Sequence, residues 1–353
     1  MPNPGLSPDP ADVRVGVPPL EELLAGAHVV SLPMRVKFRG IMQRESLLLR
    51  GPVGWGEFCP FPEYGDAEAT RWLAAAIEAG WQGFPPALRA SVPVNATVPA
   101  VSADRVPDVL ARFGRVDAVK VKVAEQGQTL DDDVARLHAV RAALPEAAVR
   151  VDANGGWDVP GAVEALTRLA PVGLEYAEQP VPSIEGLAEV RSRLREAGTP
   201  VLIAADESVR KETDPLRVAR AGAADLIVVK VAPLGGVRRA LDIVAQAGLP
   251  AVVSSALDTS VGIRAGLALA AALPSLPYAC GLGTVSLFES DVTLDPLVAD
   301  DGAIRLREVA ADAGLLERFA APAERRDWWL DRLRRVHALL TPITFLHVTG
   351  GSP

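Results

Sequence analysis

The chain of 353 residues carries 36 Lys+Arg against 44 Asp+Glu, a net charge of -8, and has no basic run with interleaved aromatics. That balance argues against non-specific nucleic-acid binding, so any anionic ligand must be held by local positive charge. At 49% hydrophobic and 23% charged the composition is ordinarily globular and long enough for one large domain plus a smaller one. Cys59 and Cys280 lie far apart in no metal-binding spacing and read as free thiols of a reducing, cytoplasmic compartment.

Residues 1–12 are rich in proline and acidic residues, with no apolar core behind a basic end, which excludes a signal peptide and predicts a frayed, disordered tail. Up to residue 88, extended and helical signals alternate without a regular repeat. Runs beginning at Val29, Ser46 and Val53 predict antiparallel strands, and residues 67–79 predict a helix with Trp72, Leu73 and Ala76 facing inward. Residues 1–90 are therefore expected to form a small α+β capping domain. Its loop 58–64 is aromatic and proline-stiffened, which suits either a cover over a ligand or a tight surface loop.

After residue 91 the pattern becomes regular. Short β-branched runs occur at 92–98, 118–123, 148–152, 173–178, 201–206, 225–230, 251–255 and 278–282. Helical stretches lie between most of them, with starts marked by Thr129 and Asp132, by Asp158 before Val159-Pro160, and by Asp214 before Pro215. Eight strands alternating with helices predict a (β/α)8-type barrel over residues 91–308, with chemistry at the carboxyl ends of the strands. The short stretch 99–114 predicts an irregular first unit. Residues 265–288 are uncharged and exceed the roughly 20 residues that span a bilayer, but Pro274, Pro277 and several glycines interrupt them. A buried helix followed by a buried strand is expected there, with no membrane association. Residues 309–353, with Trp328, Trp329, Leu330, Leu333 and Val336 at helical spacing, are expected to pack back on the small N-terminal domain.

The strand ends carry the chemistry. Only five basic residues are lysine, at 37, 120, 122, 211 and 230, and three of these fall in or at the end of strand-like runs. Lys120 and Lys122 are two apart, so on a strand both amines face one side while Val119, Val121 and Val123 face the other. A buried, crowded lysine can lose its proton and act as a base, which arginine cannot; a half-exposed edge strand with solvated lysines is the alternative. Asp152, Glu178 and Asp206 end three consecutive strands, 26 and 28 residues apart, and Lys230 follows 24 residues later. Three carboxylates around one point suit an octahedral Mg²⁺ with open positions for water and substrate, with Mn²⁺ as a substitute. A salt-bridge network of the same residues is the metal-free alternative. A divalent metal between opposed lysines suits abstraction of a proton beside a carboxylate, the metal stabilising the enediolate that forms.

These residues resemble the enolase superfamily, over nearly the whole chain. Lys120-Val-Lys122 followed by Asp152, Glu178, Asp206 and Lys230 on successive strands is similar to its muconate-lactonizing-enzyme subgroup. None of His28, His138, His337 and His347 falls at a strand end, unlike the mandelate-racemase type with its histidine base. Within the subgroup, Ser-Ser-Ala-Leu-Asp-Thr-Ser-Val-Gly at 254–262 and Gly-Leu-Gly-Thr at 281–284 look most like the o-succinylbenzoate synthase family. Dipeptide epimerases usually carry Asp-X-Asp at the eighth strand, and this chain does not.

The resemblance implies a barrel of the (β/α)7β kind with an N-terminal α+β cap. It also implies a hydro-lyase acting on a small carboxylate, 2-succinyl-6-hydroxy-2,4-cyclohexadiene-1-carboxylate, in menaquinone biosynthesis. By analogy, Lys122 removes the α proton and returns it to the departing hydroxyl on the same face. Lys120 lowers the pKa of Lys122 and supports the developing charge, and Lys230 stabilises the anion across the ring. Asp152, Glu178 and Asp206 hold Mg²⁺, with Asn154 and Glu207 supporting them from behind. Ser254, Ser255, Gly281 and Thr284 line the succinyl side, although ordinary turn serines remain an alternative for Ser254 and Ser255. Arg39 and Arg44 could meet a carboxylate from the cap or lie on the surface. Gly235-Gly236 could present amides to an anion or form a tight turn. The alternative activity is an N-acylamino acid racemase or another enzyme of the subgroup, such as a cycloisomerase or dipeptide epimerase.

Overall fold

The computed structural model describes residues 16–38, 40–199, 201–209 and 214–340; the expected disordered tail 1–12, Arg39, Lys211 and His347 lie outside them. Strands β1 (Ala27–Phe38), β2 (Ile41–Arg50) and β3 (Trp55–Phe58) form an antiparallel sheet in sequence order. Leu47, Leu48 and Leu49 of β2 are all fully buried. Successive side chains on a strand point to opposite faces, so the sheet is covered on both sides there. One cover is the helix Asp66–Ile77, whose Trp72, Leu73 and Ala76 are buried as their spacing predicts. It widens into a π-helical turn at Glu78–Gln82.

The barrel follows as β4 (Ser91–Pro93), β5 (Ala96–Val98), β6 (Ala118–Lys122), β7 (Ala148–Asp152), β8 (Leu174–Glu178), β9 (Ile203–Ala205), β10 (Leu226–Val229) and β11 (Ala251–Val253). Strands β5 to β11 make one seven-stranded parallel sheet in sequence order, and β12 (Ala303–Arg305) pairs antiparallel with β4. The stretch read as one strand at 92–98 is broken at Val94-Asn95, where the Asn95 side chain donates to the carbonyl of Ala96 at 2.9 Å. The eighth strand shrinks to the bridges Val94–Cys280 and Ser254–Gly281, which close the sheet on itself. Pro277 lacks a backbone donor and a 3-10 helix begins at Gly283, so little chain remains to pair. A closed sheet with seven full strands is the (β/α)7β architecture.

Alternation along the strands sorts the interior from the shell. Val119, Val121, Val149, Val151, Ile203 and Ile227 join the large apolar core. Tyr176, Ala204, Leu226, Val228 and Val252 form a separate cluster inside the barrel. Lys120 shares a register position with Arg150, and Lys122 with Asp152, so the charged residues of β6 and β7 point the same way as that inner cluster. The capping box Thr129/Asp132 and the Asp158 cap form as expected. The first unit is irregular, with a five-residue α-helix between two 3-10 turns. Residues 265–288 become most of the helix Ser260–Ala272, the bridged residues Cys280 and Gly281 where a strand was expected, and the 3-10 helix Gly283–Leu287. Among the described residues no helix is long and apolar enough to cross a membrane.

The C-terminal helix Ala323–Leu339 buries Trp329, Leu333 and Val336. Trp329 packs edge-to-face on Phe58 at 6.0 Å and donates to the Glu45 carboxylate at 2.8 Å. Arg332, fully buried, donates to the carbonyls of Pro60, Phe61 and Tyr64. These contacts tie the loop 58–64 to the last helix, and none of its residues is among those lining the barrel-mouth pocket. Trp329→Ala is expected to lower the unfolding free energy by about 3–5 kcal/mol, the usual cost of emptying a buried aromatic site. A urea midpoint shift equivalent to less than about 1 kcal/mol would contradict this packing.

Candidate active site

The carboxyl ends of the strands bring the charged residues together. Lys120, Lys122, Asp152, Asn154, Asp206, Glu207, Lys230, Ser254, Ser255, Gly281 and Thr284 line one pocket, and every lining residue belongs to the barrel. Glu178 lies beneath it, buried, within reach of Lys120. Thr97, Ala256 and Leu257 also line the pocket and were missed. Thr97 could have been found by asking of the first strand which polar residue ends it. Leu257 carries no such signal.

Each acid is drawn to a lysine. Lys120 Nζ lies 2.9 and 3.1 Å from the two oxygens of Glu178 and 3.3 Å from Asp152 Oδ2. Lys122 Nζ donates to Asp152 Oδ2 and to Asn154 Oδ1, both at 2.6 Å, and Lys230 Nζ donates to Asp206. Asn154 Nδ2 in turn donates to Glu207 Oε1 at 3.2 Å, so both expected supporting residues touch the network. Gln179 adds a support that the spacing argument passed over. It is fully buried, and its carbonyl oxygen accepts from the backbone of Asp206 and Ser208, tying the end of β8 to that of β9. Asn154 and Gln179 both hold positive φ, at 47° and 40°, the kind of local strain that collects beside working side chains.

Burial disfavours charge on Lys120, but the carboxylates of Glu178 and Asp152 outweigh it and raise its pKa well above the ordinary lysine value. Burial works to raise Asp152 and Asp206, yet Lys122 and Lys230 respectively hold each carboxyl below its usual range. Burial, then the charge of Asp152, pushes Glu178 up to about 8.

The donor set fits a hard divalent cation, being three buried carboxylates on adjacent strands with neither sulfur nor imidazole among them. Among the described residues these three are not a group whose oxygens all lie within 4.8 Å of one another; each is paired with a lysine instead. The grouping that is so close is Glu57, Cys59 and Asp258 at the seam between cap and barrel. Its Glu57 oxygens already accept from Ser46, Thr259 and Gly262, so it serves as a cap for the helix Ser260–Ala272.

Glu178 ionises in the ordinary carboxylate range when unfolded and near 8 when folded without metal. Its contribution to stability is therefore present below that ordinary range and lost as pH rises through about 8. Proton and cation compete for the same oxygens, so divalent-metal affinity is expected to rise with pH across this window, by up to about tenfold per pH unit. Calorimetric metal titrations at several pH values check this, and a flat profile would contradict it.

The remaining candidates separate. Ser255 Oγ and Thr284 Oγ1 lie 2.7 Å apart on the pocket wall. A Cβ added to Gly281 would meet Ser254 Oγ at 2.6 Å, so the glycine permits the closing contact of the barrel. Arg44 does not face the pocket; its guanidinium donates to backbone carbonyls and stacks on Phe61 at 4.2 Å. The amides after Gly235-Gly236 do meet an anion, but it is the chain's own Glu78, which accepts from Val237 and Arg238.

A family profile described as "Enolase C-terminal domain-like" matches residues 102–315, and "Enolase N-terminal domain-like" matches 29–80. The chain belongs to the enolase superfamily. Within this superfamily it is 57% identical over 326 residues to an o-succinylbenzoate synthase of Mycolicibacterium smegmatis, covering 92% of this chain and 99% of the relative. An o-succinylbenzoate synthase of Mycobacterium tuberculosis is 54% identical over 327 residues, covering 92% and 98%. Muconate lactonizing enzyme of Pseudomonas putida shares the fold at a TM-score of 0.70 and 22% identity, over 84% of this chain and 98% of that one. The Pseudomonas fluorescens enzyme complexed with muconolactone matches at a TM-score of 0.73 and 22% identity, with the same coverage. Enzymes of the enolase superfamily generally use a divalent metal and act on small molecules.

Proposed function

We propose that this chain is an o-succinylbenzoate synthase, a hydro-lyase that removes water from 2-succinyl-6-hydroxy-2,4-cyclohexadiene-1-carboxylate in menaquinone biosynthesis. The observation that carries this reading is 57% identity to such an enzyme across 99% of its length. The pocket supports it with amines on opposite walls, since Lys122 ends β6 and Lys230 follows β10, four strands away around the barrel.

In this reading Lys122 is the base. Its amine takes the proton α to the substrate carboxylate, and the same ammonium then delivers that proton to the leaving hydroxyl on the same face. The C–H and C–O bonds break, water departs, and the ring becomes aromatic. Lys120, kept cationic by its carboxylate neighbours, supports the negative charge that develops. Lys230 faces the ring from the other wall and steadies the anion by a cation–π contact. Asp152, Glu178 and Asp206 would hold Mg²⁺, with Mn²⁺ as a substitute, and the ion supplies Lewis-acid charge beside the substrate carboxylate. Ser254, Ser255, Gly281 and Thr284 would line the succinyl side, with Asn154 and Glu207 orienting Lys122 and the acids. We place the protein in the cytoplasm, a reading supported by its two free, buried cysteines.

Purified protein mixed with the cyclohexadiene and Mg²⁺ is expected to yield the aromatic product, and its absence ends this reading. The facing amines also favour a second activity, racemisation of N-acylamino acids, in which each lysine serves one face. Deuterium entering an N-succinyl amino acid at its α carbon from D₂O, and lost in Lys230→Ala, would identify it.

A further inference from the structure

The wall of the pocket that follows β11 is held in an unusual backbone form. Leu257 has φ +62°, a left-handed conformation that a branched side chain rarely adopts. Successive carbonyls of an extended chain point to opposite sides, whereas a left-handed residue turns them the same way. The carbonyls of Ala256 and Leu257 accordingly both reach Arg44, which donates to Leu257 O from Nε and to Ala256 O from a terminal nitrogen, each at 3.1 Å. The guanidinium also donates to Cys59 O at 2.6 Å, so it joins cap to barrel. Arg44 is 2% exposed, and a guanidinium so deeply buried is tolerated because carbonyls meet its donors. Lysine offers no planar fork with which to span two carbonyls.

The neighbouring residues are fixed as well. Ser255 N donates to Gly281 O at 3.2 Å, and Ala256 N to Asp258 Oδ2 at 3.0 Å. Both Ala256 and Leu257 line the pocket, on the side of Ser255 and Thr284. Arg44 itself does not line it, so any effect on the reaction passes through that wall.

We propose that Arg44 is a positioning residue for substrate binding: by gripping the carbonyls of Ala256 and Leu257 it holds the pocket wall in a form that the backbone of Leu257 alone would abandon. The proposal rests on the dehydratase reading for its substrate. Lys122, Lys230 and the three acids sit on or beside strands that Arg44 does not touch, so its loss loosens the wall without displacing them. The burden falls on KM more than on kcat, because substrate must now order the wall as it binds.

The test compares Arg44→Lys and Arg44→Met, each with and without Leu257→Gly. Glycine takes a positive φ without strain, so it lightens the task that Arg44 performs. Arg44→Lys is expected to raise KM by about tenfold while kcat stays within about threefold, and to raise it less when Leu257 is already glycine, a non-additive pair. Hydrogen exchange at the amides of residues 255–259 is expected to speed up in both Arg44 variants. An unchanged KM with unchanged exchange, or fully additive effects with Leu257→Gly, overturns the proposal. Should Arg44→Met not fold, Arg44→Lys decides, since it keeps the charge. Should the wild type fail to dehydrate the cyclohexadiene, the functional reading falls, while the exchange rates still decide whether Arg44 holds the wall.

Discussion

Lys122→Ala is expected to lower kcat for the dehydration by about 10²- to 10⁴-fold, the range that a positioned general base supplies, equivalent to about 3–5 kcal/mol of barrel-mouth catalysis. Lys122 Nζ stands 2.6 Å from both Asp152 Oδ2 and Asn154 Oδ1, on the end of β6 and lining the pocket. Lys120 is the more buried of the two and its amine lies on Glu178, so it is not expected to take over the role. Lys122→Arg separates the two contributions the residue makes. It keeps the positive charge but cannot accept a proton at accessible pH, so it is expected to be nearly as inactive as the alanine variant. Aromatic product is followed by absorbance, with circular dichroism to show that the fold is kept. A rate within about tenfold of wild type in both variants would remove Lys122 from the mechanism.

Asp152→Asn is expected to act on metal binding and on the metal-free protein at once. A residue that merely supports a metal ligand costs about 10–100-fold in affinity when changed, so loss of a carboxylate ligand should exceed about 100-fold. In the absence of metal, Asp152 Oδ2 is the atom to which Lys120 and Lys122 both lie close, at 3.3 and 2.6 Å. Removing one partner from a buried ion pair typically costs about 3–5 kcal/mol, since the remaining charge stays buried. Loss of the Asp152 charge also removes a cause of the high Glu178 pKa, so Glu178 becomes the better anion for Lys120 and offsets part of this cost. Urea unfolding in EDTA is therefore expected to show a loss toward the lower end of that range, and metal titration a binding curve moved beyond millimolar concentrations. Unchanged metal affinity would mean that Asp152 is not a ligand.

Much of the site was legible before any coordinates. The spacing of Asp152, Glu178, Asp206 and Lys230 follows from the length of one βα unit, and Lys120 and Lys122 occupy one face because strand side chains alternate. The helix caps at Thr129 and Asp158 were equally plain, since they depend on residues three apart. What the spacing did not show is that the carboxylates of Glu178 and Asp152, arriving from neighbouring strands, dominate the surroundings of Lys120. Nor did the sequence show that carbonyls of the loop 58–64 are taken by Arg332 of the last helix.

By itself the sequence determined which residues stand at the ends of the barrel strands and which way they face, because covalent spacing and strand pleat are local properties. Tertiary structure alone decided how the barrel closes, through two bridges at Cys280 and Gly281 in place of a full eighth strand. It also decided which groups satisfy one another: Glu78 on the amides of Val237 and Arg238, and Arg44 on the carbonyl of Leu257, 213 residues away. A buried charge must find a partner wherever packing delivers one, and no periodicity along the chain records where that will be.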